Sequence, residues 1–110
     1  MVGHTGNFVA AKKGVRAMDT EIKRLVDVVQ TMDGDILLTA DHGNAEEMIH
    51  SDTKEMMTEH TTNPVPCVLI SHRLKDMKLR KKGTLADIAP TLLKLFDVKK
   101  PKEMTGKSLY

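Results

Sequence analysis

Between positions 7 and 32 the apolar residues Phe8, Ala11, Val15, Met18, Ile22, Leu25, Val29 and Met32 recur at alternating spacings of three and four. That period marks one face of an amphipathic α-helix and predicts a single long helix over 7–32. Lys13, Arg16, Arg24 and Asp27 fall on the opposite face. Such a stripe has to lie on another apolar surface, and a sheet is the expected one. Asp33-Gly34 supplies the stop, with Gly34 expected in the left-handed cap conformation that a residue without Cβ adopts freely. The run DILLTAD comes next, and its apolar centre predicts a short strand over 35–40, covered on both faces. A second apolar run, in PVPCVLISH, predicts a strand over 67–71. Thr84 and Asp87 are spaced as a helix N-cap and its third-position acid, and Leu85, Ile88, Ala89, Leu92, Leu93 and Phe96 continue at helical spacing over 85–96. Pro90 predicts either a kink there, or a short first turn and a helix restarted with Pro90 in its opening turn. The pattern as a whole is α/β.

A chain of 110 residues holds one domain at most, and 40% apolar with 29% charged residues is the composition of a globular segment rather than a disordered one. Seventeen basic against fifteen acidic residues leave a net charge of +2, which creates no general pull toward nucleic acid or anionic membrane. The basic stretch 73–83 lacks aromatic residues and is expected to be a solvated loop rather than a nucleic-acid patch. The single cysteine, Cys67, lies in the apolar run VPCVLI and is expected to be a small buried hydrophobe, in keeping with a reducing compartment. No apolar stretch reaches the roughly 20 residues of a membrane helix, and the N-terminus lacks the apolar core of a signal peptide, so a cytoplasmic chain is expected. Residues 44–64 read as a polar surface excursion, and 98–110 as a packed loop.

The chemistry concentrates where the first strand ends. Asp41 and His42 stand at its carboxyl end, where open α/β sheets place ligands and catalytic groups. Imidazole with carboxylate suits manganese, zinc or iron, and Gly43 lets the backbone turn close to a ligand. On the residues alone two readings stay open: metal ligation, or a polar strand-end turn with Asn44 making local hydrogen bonds. His4 and His60 sit in distinctive settings of their own, MVGHTGN and TEHTTNPVP, whereas His50 and His72 are expected on the surface.

MVGHTGN, LLTADHGNAEEM, TEHTTNPVP, GTLADIAPTLLKLF and PKEMTGKSLY, in this order across essentially the whole chain, resemble the C-terminal part of cofactor-independent phosphoglycerate mutase. DIAPT alone would indicate the broader alkaline phosphatase superfamily. The resemblance implies an enzyme that interconverts 3-phosphoglycerate and 2-phosphoglycerate in glycolysis and gluconeogenesis through a phosphoserine. Its phosphatase-like domain carries two divalent metal ions, usually manganese, and residues 1–110 would form the C-terminal portion of that domain. Carried over residue by residue, His4 and His60 would be ligands of one ion, and Asp41 and His42 of the other. The family motif is DMVGH, and this chain starts at its methionine, so the aspartate ligand, the serine nucleophile and the substrate-clamping arginines would lie outside it. The expectations that follow are no turnover by this chain alone and exposed sheet edges that favour self-association or pairing with the N-terminal remainder of the mutase. A related two-metal phosphohydrolase and a non-catalytic interaction module that keeps the fold are the competing readings.

Overall fold

The computed structural model describes residues 2–110, so Met1 of the MVGHTGN motif lies outside the described residues. In chain order there are a short 3-10 helix Val2–Thr5, helix α1 Phe8–Thr31, strand β1 Ile36–Thr39, strand β2 Cys67–Ile70, a 3-10 turn Leu85–Asp87 and helix α2 Ile88–Leu95. The class is mixed α/β, consistent with a fragment of an alkaline-phosphatase-like domain.

Helix α1 begins where Asn7 caps it, its side-chain oxygen accepting the Ala10 N–H at 3.0 Å. At the far end Asp33 N–H bonds to the Gln30 carbonyl at 3.1 Å and Gly34 N–H to the Val29 carbonyl at 2.9 Å, the paired bonds of a Schellman stop. The left-handed residue is Asp33, with φ 54°, rather than the expected Gly34. Aspartate tolerates that region. Gly34 answers to space instead, since a Cβ there would stand 2.6 Å from Val29 Cγ1. Helix α2 ends the same way, with Asp97 at φ 55°.

The α1 stripe does not lie on the sheet. Met18 is 61% exposed, Leu25 66% and Met32 77%; Phe8 and Val15 are exposed too, Ile22 and Val29 half-buried, and Ala11 buried. Size accounts for this. A helix of 24 residues is about 36 Å long. Two strands of four residues each make a sheet roughly 13 Å long, too small a seat. The radius of gyration, 16.9 Å, also exceeds the roughly 13 Å of a closed domain of this length.

The strands pair antiparallel, Ile36 facing Ile70 and Thr39 facing Cys67. Contrary to expectation neither is covered on both faces: Ile36, Leu37 and Leu38 are half-buried and Val68 is exposed. Cys67 is likewise half-buried rather than buried, because it opens β2 opposite the exposed Thr39. Residues 44–64 are more than a surface excursion. Met57 N–H bonds to the Met48 carbonyl and His50 N–H to the Glu55 carbonyl, each at 2.9 Å, and this hairpin-like return buries Met48. Among the described residues no helix is long and apolar enough to cross a membrane.

Pro90 is the third residue of α2, in its opening turn, where a missing N–H leaves no intrahelical bond unmade. The 3-10 turn Leu85–Asp87 precedes α2 directly. Asp87 then organises the C-terminal tail. Its Oδ2 accepts from Thr84 N–H and from Arg80 Nη2, each at 3.0 Å, while Oδ1 accepts from Lys107 N–H at 2.8 Å. One turn on, the wholly buried Thr91 donates its hydroxyl to the Asp87 carbonyl at 2.6 Å and accepts the Leu109 N–H at 2.9 Å. Leu109 is thereby held at 4% exposure. The tail passes so near the 3-10 turn that a Cβ on Gly106 would stand 1.9 Å from the Ala86 carbonyl oxygen.

Replacing Thr91 with Val keeps the shape and removes both bonds, stranding the buried Leu109 N–H. The expected cost is about 1–3 kcal/mol, read as a lower urea midpoint at unchanged slope. The Lys107 N–H, then the Thr84 N–H, and the nearby Arg80 guanidinium hold the Asp87 carboxyl below the ordinary aspartate range. A carboxylate with a lowered folded pKa stabilises fully above its unfolded value and loses that contribution as pH falls through the folded one. Acidification through this window should loosen the tail, followed by Tyr110 emission, and Asp87→Asn should destabilise the chain at neutral pH and flatten the acid response. An unchanged acid profile in the variant would refute the assignment.

Candidate metal centre

Beyond β1 the chain runs through Ala40 into Asp41 and His42, and there Gly43 meets Thr61. Thr61 N–H bonds to the Gly43 carbonyl at 2.9 Å and Gly43 N–H to the Thr61 carbonyl at 3.3 Å, an isolated antiparallel bridge. This bridge sets the segment carrying His42 against the one carrying His60. Their rings stack, with centroids 3.7 Å apart and planes inclined by 23°. His4, in the 3-10 helix that precedes α1, brings a third imidazole to the cluster, its centroid 5.3 Å from that of His60 at 54°.

Asp41 lies at the edge of this group. Its Oδ1 accepts the His42 N–H at 3.1 Å and its Oδ2 lies 3.6 Å from His42 Nε2, while its side chain is 83% exposed. His42 Nδ1 lies 3.1 Å from the Gly43 carbonyl oxygen. A carbonyl only accepts, so Nδ1 is a donor, and in the neutral ring the lone pair is then on Nε2, which lies beside Asp41. A backbone carbonyl in that role is the usual way of orienting a metal-ligating histidine.

Four residues without metal-ligand roles in the sequence reading hold the loops together. Glu46 accepts the Thr61 hydroxyl, the Asn63 amide at 3.1 Å and the Asn44 N–H at 2.8 Å. The Thr61 bond first, with the backbone and Asn63 bonds behind it, lowers the Glu46 carboxyl to about 2. All four lie inside TADHGNAE or HTTNPVP, so the motifs held the signal, though residue type alone did not single them out. His72 is exposed, as expected; His50 is half-buried, because its N–H is tied into the 44–64 hairpin. Neither joins the ring contacts of the other three histidines.

A cleft of about 840 Å³ opens beside Asp41 and His42 and runs past Thr61 and Asn63 to Lys81 and Lys82. The donor types gathered at its end, imidazole and carboxylate, fit a divalent transition metal. Among the described residues, however, no three His, Cys, Asp or Glu side chains are arranged to hold one ion. The stacking explains this, because His42 and His60 present ring faces to each other. The residues therefore fit a metal in chemistry and neighbourhood as part of a ligand set.

Comparison with known proteins gives the family. Over 109 residues the chain is 54% identical to 2,3-bisphosphoglycerate-independent phosphoglycerate mutase 1 of Methanosarcina acetivorans, 53% to the corresponding mutase of Clostridium botulinum and 49% to that of Pseudomonas fluorescens. Each alignment takes in 99% of this chain and 21% of the relative, so the chain spans about a fifth of the length of the curated relatives it matches. The similarity is to their C-terminal region. The family model of the metalloenzyme superfamily matches residues 1–100. That match takes in His4, the Asp41-His42 pair and His60 together with both helices and both strands, and the chain belongs to the metalloenzyme superfamily.

Proposed function

We propose that this chain is the C-terminal, metal-binding portion of a single phosphatase-like domain in a cytoplasmic 2,3-bisphosphoglycerate-independent phosphoglycerate mutase. The observation that carries the reading is the meeting of His4, His42 and His60, drawn from three separate segments, within a chain about half identical to such mutases throughout. His4 and His60 serve one divalent ion, Asp41 and His42 the other, and manganese is the cation proposed for both. Bound cations would supply neutralisation of charge on a transferring phosphoryl group and activation of an oxygen nucleophile. The chain's own part is to hold nitrogen and carboxylate donors in place: Gly43 fixes the His42 tautomer, and Glu46 clamps the Thr61 segment behind it.

The nucleophile is supplied elsewhere on this reading. The three serines of the chain are engaged away from the cluster: Ser51 donates to Asp52, Ser71 accepts from Leu74 N–H and Ser108 donates to the Tyr110 carbonyl. The chain by itself accordingly turns over no 3-phosphoglycerate. The apolar stripe of α1 is the surface on which the rest of the enzyme, or a second copy, is seated.

Two measurements test the proposal. Manganese at about 100 times its dissociation constant should raise the stability of the chain by about 2.7 kcal/mol for each ion bound, and His42→Ala and His60→Ala should each remove the contribution of one ion. A melting curve of the unsubstituted chain that ignores manganese would sink the metal assignment, as formation of 2-phosphoglycerate at an enzymatic rate would sink the inactivity. In sedimentation the chain should associate, and the double substitution of Met18 and Leu25 by Lys should shift it toward monomer. A unsubstituted chain that sediments as a stable monomer would count against a covering role for α1.

A further inference from the structure

Asn44 touches all three segments that carry the histidines. It follows His42 by two positions, its side-chain Nδ2 lies 3.4 Å from His4 Nδ1, and the same nitrogen donates to the carbonyl of Glu59, the residue before His60, at 3.3 Å. Its own N–H is fixed by Glu46 at 2.8 Å. Because the Glu59 carbonyl can only accept, it determines which end of the Asn44 amide is the NH₂ group. His4 Nδ1 therefore faces a donor and must be the unprotonated nitrogen, which leaves the ring proton on Nε2. His42 is held in the opposite tautomer by Gly43. The other end of the amide is fixed by shape. Asn44 Oδ1 fills the space beside Gly3, where a Cβ would stand 1.6 Å from it. A side chain at position 3 and the Asn44 amide in this place exclude each other.

We infer that Asn44 is a positioning residue for His4: it sets the tautomer of that ring and ties the His4 segment to the His42 and His60 segments. Its bearing on metal binding rests on the reading of His4 as a ligand: the bond occupies the one lone pair of the neutral ring, so a cation reaches His4 only by displacing Asn44, whereas the tautomer assignment stands on the metal-free chain. Ring ¹⁵N resonances of that chain, recorded above the ordinary imidazole pKa, should show His4 protonated at Nε2 and His42 at Nδ1. Asn44→Ala should release His4 to a mixture of tautomers and leave His42 unchanged. Asn44→Asp offers His4 only an acceptor and should move its proton to Nδ1, a reversal that loosened packing alone would not produce. Gly3→Ala should expel the amide and reproduce the Asn44→Ala spectrum, and adding it to Asn44→Ala should change nothing further, because the clash has gone. Calorimetric titration with manganese should give a dissociation constant about 5-fold lower for Asn44→Ala and for Gly3→Ala, because neither leaves a donor competing for the His4 lone pair. A His4 tautomer indifferent to all three substitutions overturns the inference. So does a tautomer that responds while manganese affinity stays the same or falls, since Asn44 would then not compete for the His4 lone pair. If the unsubstituted chain binds no manganese, the ligand reading fails and the spectra alone decide the role of Asn44.

Discussion

Four residue pairs, from Ile36–Ile70 to Thr39–Cys67, fix β1 against β2, and the histidine cluster depends on how that pairing resumes past the strand ends. Between Thr39 and Gly43 lie residues 40–42, whereas residues 62–66 separate Thr61 from Cys67, so the Gly43–Thr61 bridge is reached with a register slip of two. The slack is in Thr62 to Pro66, where Pro64 and Pro66 have no N–H to give a ladder. Thr39 compensates by donating its hydroxyl to the Pro66 carbonyl at 2.9 Å. A slip of an even number preserves the face on which each side chain emerges. An odd slip would have turned the two loops' side chains to opposite faces.

The carboxylates around this framework divide into two kinds. Glu46 and Asp87 are each surrounded by donors from distant parts of the chain, and both are held well toward the ionised form by those bonds. They act as ties, one for the cluster loops and one for the C-terminal tail. Asp41 is different. Among its described contacts are only those to its chain neighbour His42, and most of its side chain faces the cleft and solvent. A carboxylate left with open lone pairs beside an imidazole lone pair has the chemistry of a ligand, whereas one saturated by amide donors has the chemistry of a scaffold.

Local features were legible in the sequence because local chemistry decides them. The 3.6-residue period located α1, the short apolar runs located both strands, and a helix restarted with Pro90 in its opening turn was one of the two readings of α2. The left-handed position at Asp33 was misread because glycine's freedom is not the only constraint on a glycine: Val29 needed the space at position 34. Burial of Leu109, the half-exposure of Cys67 and the gathering of His4, His42 and His60 depend on contacts across 18 or more positions, which no periodicity encodes. For the cluster, the family motifs supplied what spacing could not. They pointed to these residues as candidate ligands, and the Gly43–Thr61 bridge is the physical device that sets His42 against His60.

The uncovered stripe of α1 shows how much of the fold's energy lies in surfaces this chain does not close. Phe8, Val15, Met18, Leu25 and Met32 each remain more than half exposed. At about 1.5–3 kcal/mol for each fully buried side chain, the part left in water amounts to on the order of 5 kcal/mol. That equals the whole stability of a marginal domain. The propensity of α1 and its surface pairs, Lys23 with Asp27 and Arg24 with Glu21, cannot replace it, since exposed ion pairs contribute about 1 kcal/mol or less. The tail and α2 are locked by buried hydrogen bonds, and the cluster loops by Glu46, so the histidine end is the better-determined half. A cover over α1 would therefore act on stability first, and would reach the histidines through the 3-10 helix that joins His4 to the start of that helix.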